Sequence, residues 1–139
     1  MRSVQVQHCR SRAIDFLEGM KLLKDDLSEF RYSSALLGIH GAISYCDALR
    51  IGLGSVEISS DDHRKAVREL RILLNNRRFE KLQGVGHLER LLSNKSKIAY
   101  SREASDRNDV EQIVQHAERF AAWAETTGKA LKIEGWIDA

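Results

Sequence analysis

The chain contains no proline in 139 residues. Inside a helix, proline removes a backbone donor and clashes with the preceding turn, and it belongs instead to loops and sheet edges. A chain of this length without one is expected to be mostly helix with short connections. The apolar pattern agrees: no segment alternates with period two over a useful length, whereas helical steps recur throughout. The sequence therefore predicts an all-α fold, an up-and-down antiparallel bundle of about five helices, as one domain over residues 1–139.

Five segments carry the pattern. The first runs from about Arg12 to Lys24, with Ala13, Phe16, Leu17, Met20 and Leu23 along one face. The second, about Phe30 to Leu53, turns Leu36, Ile39, Ala42, Ile43, Cys46 and Leu49 inward and ends at Gly54, a residue that readily takes the left-handed cap conformation. Its small residues, Gly38 and Gly41 among them, permit close helix approach. The third opens at Ser59-Ser60-Asp61-Asp62, a serine cap with an acidic first turn. Its stripe is Ala66, Val67, Leu70, Leu73 and Leu74, and Asn75-Asn76 stops it. The fourth spans about Phe79 to Leu92, its start weakened by Gly84 and Gly86. A polar loop is expected from Ser93 to Arg107. The fifth begins at Asn108, with Glu111 completing a capping box, and continues to Gly128. Leu36, Ile43, Leu70, Leu88, Ile113 and Ala117 are the expected core. Trp123 is expected at a helix interface, and Ile133 with Trp136 in a tail docked on the bundle.

Cys9 and Cys46 have no metal-ligand spacing and read as idle buried thiols. The first twelve residues lack the apolar run of a signal peptide, and no stretch approaches 18 apolar residues, so a cytoplasmic protein without a membrane span is expected. Net charge is only +2, but it is unevenly spread. Arg64, Lys65, Arg68, Arg71, Arg77, Arg78 and Lys81 stand against Glu69 and Glu80, which leaves 15 basic and 18 acidic residues elsewhere. Arg64, Arg68 and Arg71, at steps of four and three, share a helical face. Such a cluster suits the phosphates of RNA or a nucleotide. The bland alternative is a solvated face neutralised by acids of neighbouring helices. Aromatic residues for base stacking are nearly absent there, which argues against single-strand sequence reading.

Taken in order, the segments AIDFLEGM, YSSALLGIHGAISYCDALRIGLG, DDHRKAVREL, LLSNKSKIAY and NDVEQIVQHAERFAAW resemble the HEPN family over roughly Ala13 to Ala124. The resemblance implies a helical bundle that dimerises through its long helices, in RNA- or nucleotide-linked biology. Many members are ribonucleases, often toxins paired with a nucleotidyltransferase-type antitoxin, and others are inactive partners. Nuclease members carry an arginine, four to six residues, a histidine and commonly a tyrosine two residues later. Here Tyr100 matches that tyrosine, but Ile98 occupies the histidine position, and Ser93, Leu92 and Leu91 occupy the permitted arginine positions. Isoleucine cannot transfer a proton near neutral pH as imidazole does. Lys95 and Lys97 can hold a phosphate without replacing that group, and for Tyr100 the resemblance offers a role as a target for nucleotide addition by a partner enzyme, beside the alternative of a structural tyrosine in a loop.

Arg2 and His8 have a permitted gap but precede the expected core, and short motifs recur by coincidence. His63 lies beside Asp61 and Asp62, yet consecutive helical residues point apart, so capping explains the acids better than a metal. His40, His87 and His116 stand alone and read as locally satisfied. No cofactor, metal or complete catalytic site is expected. The leading expectation is a non-catalytic HEPN-like protein, a homodimer contacting through the Gly38 and Gly41 surface or a partner of a nucleotidyltransferase-type protein. The alternatives are a HEPN ribonuclease with a displaced site at His63 or His116, and an interaction module without a nucleic-acid role.

Overall fold

The structure, a computed structural model, describes residues 2–56 and 62–136. Their order is α1 (Arg2–Leu23), a 3-10 turn (Lys24–Asp26), α2 (Leu27–Gly52), α3 (His63–Asn76), α4 (Gln83–Tyr100) and α5 (Arg107–Ala130). No strand occurs among the described residues, and the expected all-α helical bundle is the fold. Helix α2 is the central element: α1, α3, α4 and α5 all pack on it. Ser59, Ser60 and Asp61 of the expected α3 cap lie outside the described residues. Asp62 is the N-cap, its carboxylate accepting from the backbone N–H of Arg64 and Lys65.

The boundaries correct the sequence reading at three places. Helix α1 starts ten residues earlier than expected, because Val6 and Cys9 extend the buried stripe of Ala13, Leu17 and Met20 backwards. The intervening residues are polar but mostly good helix formers, so a sparse stripe suffices. Helix α4 continues to Tyr100 where a loop from Ser93 was expected. No glycine interrupts that stretch, Ile98 prolongs the stripe of Leu88 and Leu91 into the core, and Asn94 donates its side-chain amide to the Arg90 carbonyl within the helix. Helix α5 is capped by Asp106 and Asp109, which accept reciprocally from each other's backbone N–H, rather than by Asn108 and Glu111.

Of the six expected core residues, Leu70, Leu88, Ile113 and Ala117 are buried. Leu36 and Ile43, one heptad apart, sit half-buried on the flank of an α2 face centred on Ile39, Ala42, Cys46 and Leu49. Gly38 and Gly41 permit close approach, but within this chain. A Cβ on Gly38 would lie 2.8 Å from Met20 Sδ and 3.1 Å from Ala117 Cβ, and one on Gly41 would meet Leu17. The surface expected to carry a dimer contact is thus consumed by α1 and α5. Gly54 ends α2 with a positive φ of 108°. The tail docks as expected: Ile133 and Trp136 are buried, and Gly128 makes room for the Trp136 indole. Cys9 and Cys46 are free and buried, and burial pushes the Cys46 thiol up to about 12.

Candidate phosphate-binding groove

Helix α3 meets α2 through a buried charge network. Arg50, 2% exposed, donates Nε to Glu69 Oε1 at 2.8 Å and Nη1 to Asp47 Oδ1 at 3.2 Å. Ser55 Oγ donates to the same Glu69 oxygen at 2.6 Å. Burial pushes the Glu69 carboxyl up, but these hydrogen bonds and the Arg50 and Lys65 charges outweigh it and hold it below the ordinary range. Burial raises the Asp47 carboxyl despite Arg50 and Arg12. Arg50 is buried while Glu69 is only partly so, and the contact ties α3 to α2.

On its other side α3 faces α4 across a cleft of about 570 Å³. The cleft is lined by Asp62, the cap of α3, by His63, Arg64, Val67, Arg68 and Arg71 of α3, and by Glu89, Leu92, Ser93, Lys95 and Ser96 of α4. The volume lies within the range of small-ligand sites. Arg64, Arg68 and Arg71 stand at helical steps of four and three beside the buried Val67, and all three line the cleft. Arg71 is paired with Glu89 across the cleft. No side-chain ion pair engages Arg64 or Arg68 among the described residues. An acid of the neighbouring helix thus neutralises Arg71, whereas Arg64 and Arg68 are exposed and not so paired.

Lys95 enters from α4 with Nζ 3.2 Å from His63 Nε2. An ammonium can only donate, so His63 Nε2 accepts and its lone pair is engaged. Lys95 also bears on His40, whose imidazole is held below its ordinary value by burial and then by that charge. Arg64, Arg68, Arg71 and Lys95 outnumber the Asp62 and Glu89 carboxylates of the lining, and with the Ser93 and Ser96 hydroxyls they offer donors suited to a phosphate. No aromatic side chain other than the His63 imidazole lines the cleft.

The remaining sequence candidates scatter. Lys65 lies off the cleft, on the Glu69 side of α3. Arg77, Arg78 and Lys81 occupy the turn between α3 and α4; Arg77 follows Arg64 by thirteen helical residues, roughly 20 Å along the axis. Arg78 adopts a positive φ of 56°, and the Lys81 carbonyl accepts from Trp123 Nε1 at 2.8 Å. Lys97 points to α5, where its hydrogen bond holds the Asp109 carboxyl below the usual range. Tyr100 is exposed at the end of α4, and Ile98 is buried in the core. Arg2 and His8 lie about 120° apart around α1, too far to act together.

Two arrangements escaped the sequence. Lys95 and His63 are 32 residues apart, and His87 and His116, read singly, meet with Nδ1 atoms 2.9 Å apart. A single sequence carries no signal for either pairing. No group of three metal-ligating side chains occurs among the described residues, and no helix there is long and apolar enough to cross a membrane. No protein-family model matches the chain, and neither does any curated protein or solved structure.

Proposed function

We propose that this chain is a non-catalytic HEPN-like protein that binds phosphate groups of RNA or a nucleotide in the α3–α4 groove. The observation that carries the reading is the meeting of two separate sequence segments. The arginine stripe of α3 and Lys95, drawn from the segment that resembles the family's motif, line one cleft. Arg64 and Arg68 line that cleft and make no side-chain ion pair among the described residues, while the Asp62 carboxylate in the same lining caps α3. Clustered charge beside a low-dielectric wall attracts polyanions even at low net charge. The engaged lone pair of His63 and the isoleucine at position 98 favour binding over cleavage. Self-association and pairing with a nucleotidyltransferase-type protein belong to the proposal on the strength of the resemblance alone.

The test is RNA binding by the parent chain and by Arg64→Glu, Arg68→Glu, Arg71→Glu combined, at low salt, with the RNA recovered and sized. The parent should bind and leave the RNA intact, and the triple variant should not bind. Equal binding by both would reduce the groove to a solvated face. RNA cut by the parent, and spared after His63→Ala or His116→Ala, would establish the ribonuclease reading instead.

A further inference from the structure

Helices α4 and α5 run antiparallel: Trp123 reaches back to Lys81, while Lys97 pairs with Asp109 at the far end. Each helix carries the sequence His-x-Glu-Arg, as His87-Leu88-Glu89-Arg90 and His116-Ala117-Glu118-Arg119. The two histidines meet at the centre, Nδ1 to Nδ1 at 2.9 Å, with ring centroids 5.2 Å apart. Residues at i and i+3 share a helix face, so each arginine stands one turn beyond its own histidine. Because the helices are antiparallel, the two arginines flank the pair on opposite sides. Both bear electrostatically on both rings.

The acids of the two segments are drawn elsewhere. Glu89 pairs with Arg71 in the groove, and Glu118 accepts from Lys24 Nζ at 3.3 Å. The charged groups bearing on the rings are therefore Arg90, Arg119 and the rings themselves, with no carboxylate among them. Arg90 and Arg119 are exposed, the rings half-buried, and neither guanidinium has an ion pair among the described residues.

We infer that His87, His116, Arg90 and Arg119 form a second anion site, for a tetrahedral oxyanion of the phosphate or sulfate type, opened by protonation of the histidine pair. In the neutral pair one Nδ1–H donates to the other Nδ1, and the site is closed on itself. When both rings are protonated, both Nδ1 atoms are donors and that hydrogen bond is lost. Two imidazolium and two guanidinium groups then face one another, and an oxyanion is the group that accepts from both rings while neutralising the flanking arginines. Burial first, and then the neighbouring positive charges, hold both rings below the ordinary imidazole value, which keeps the closed state in place at neutral pH.

The test follows the two imidazole resonances of the full chain by NMR through a pH titration, in sulfate and in chloride at equal ionic strength. Sulfate keeps its charge across the range, so any pH dependence belongs to the protein. Sulfate should raise the midpoints of both rings by about one unit, as an opposite charge in contact does. Combined Arg90→Gln and Arg119→Gln, both exposed substitutions, should raise both midpoints in chloride and abolish the difference between the salts. Identical titrations in the two salts would overturn the assignment, as would a sulfate effect surviving in the double variant. The test is independent of the α3–α4 groove: Arg64→Glu with Arg68→Glu should leave the sulfate shift of both rings unchanged.

Discussion

Two seams of this bundle are built from opposite materials. Where α5 meets α4 and the tail, glycine lies beneath tryptophan: Gly84 under Trp123 and Gly128 under Trp136, each so close that a methyl group would overlap the indole. Where α3 meets α4, the facing residues are Arg68, Arg71, Glu89 and Lys95, and a cleft of about 570 Å³ lies between the helices. Small residues bring backbones together, and the gap is filled by a large aromatic payload. Long charged side chains hold helices apart because their heads must stay solvated. The α4–α5 seam is thus closed where its tryptophans pack, and the α3–α4 seam stays open along its length as the groove.

That division predicts a steep difference between substitutions on the two sides. Trp136→Ala should cost about 3–5 kcal/mol by denaturant unfolding, since the indole is 1% exposed and leaves a cavity. Arg64→Glu or Arg68→Glu, on the open side, should stay within about 0.5 kcal/mol of the parent. Comparable losses on both sides would erase the distinction. Next, Leu70→Ala and Ile113→Ala should each cost about 2–5 kcal/mol. Leu70 is the more informative, because it lies on α3 and shows that this helix is anchored inward while its outer face stays open.

A smaller effect, of opposite sign, is expected at the turn after α3. Arg78 holds a left-handed backbone that costs a non-glycine residue about 1–2 kcal/mol. Arg78→Gly should raise the unfolding free energy by about 1 kcal/mol, and a lowered midpoint would contradict that backbone. The smallest effect belongs to the exposed pair across the cleft. Glu89→Gln should change stability by less than about 1 kcal/mol. It should tighten RNA binding, because Arg71 is released to the groove. Weaker binding by Glu89→Gln would show that Arg71 needs its partner to be placed.

The helical phases were legible because core spacing is a local property. Leu70, Leu88, Ile113 and Ala117 follow from steps of three and four, and the docking of the tail from Ile133 with Trp136. Leu36 and Ile43 were read as central because hydrophobicity alone does not separate the middle of a stripe from its flank. The continuation of α4 past Ser93 was also within reach. Ile98 lies seven residues beyond Leu91, on the same face, although the residues between them are mostly polar. The site was half legible. The stripe of Arg64, Arg68 and Arg71 was visible as a face, whereas its separation from Arg77, Arg78 and Lys81 depends on where α3 ends. The arrival of Lys95 opposite it depends on how two helices pack, which residue spacing within either one does not encode.

The central claim is that phosphate recognition is local to the groove rather than a property of the whole basic segment. It is tested most directly by the salt dependence of RNA affinity in two double variants of equal charge change. One is Arg64→Ala with Lys95→Ala, on the groove; the other is Arg77→Ala with Arg78→Ala, in the turn roughly 20 Å from Arg64 along α3. The account predicts that the groove variant loses affinity and that its log–log salt slope flattens by about two, about one for each phosphate contact removed. The turn variant should keep the parent slope. Equal flattening in both variants, or a flatter slope in the turn variant alone, would contradict it.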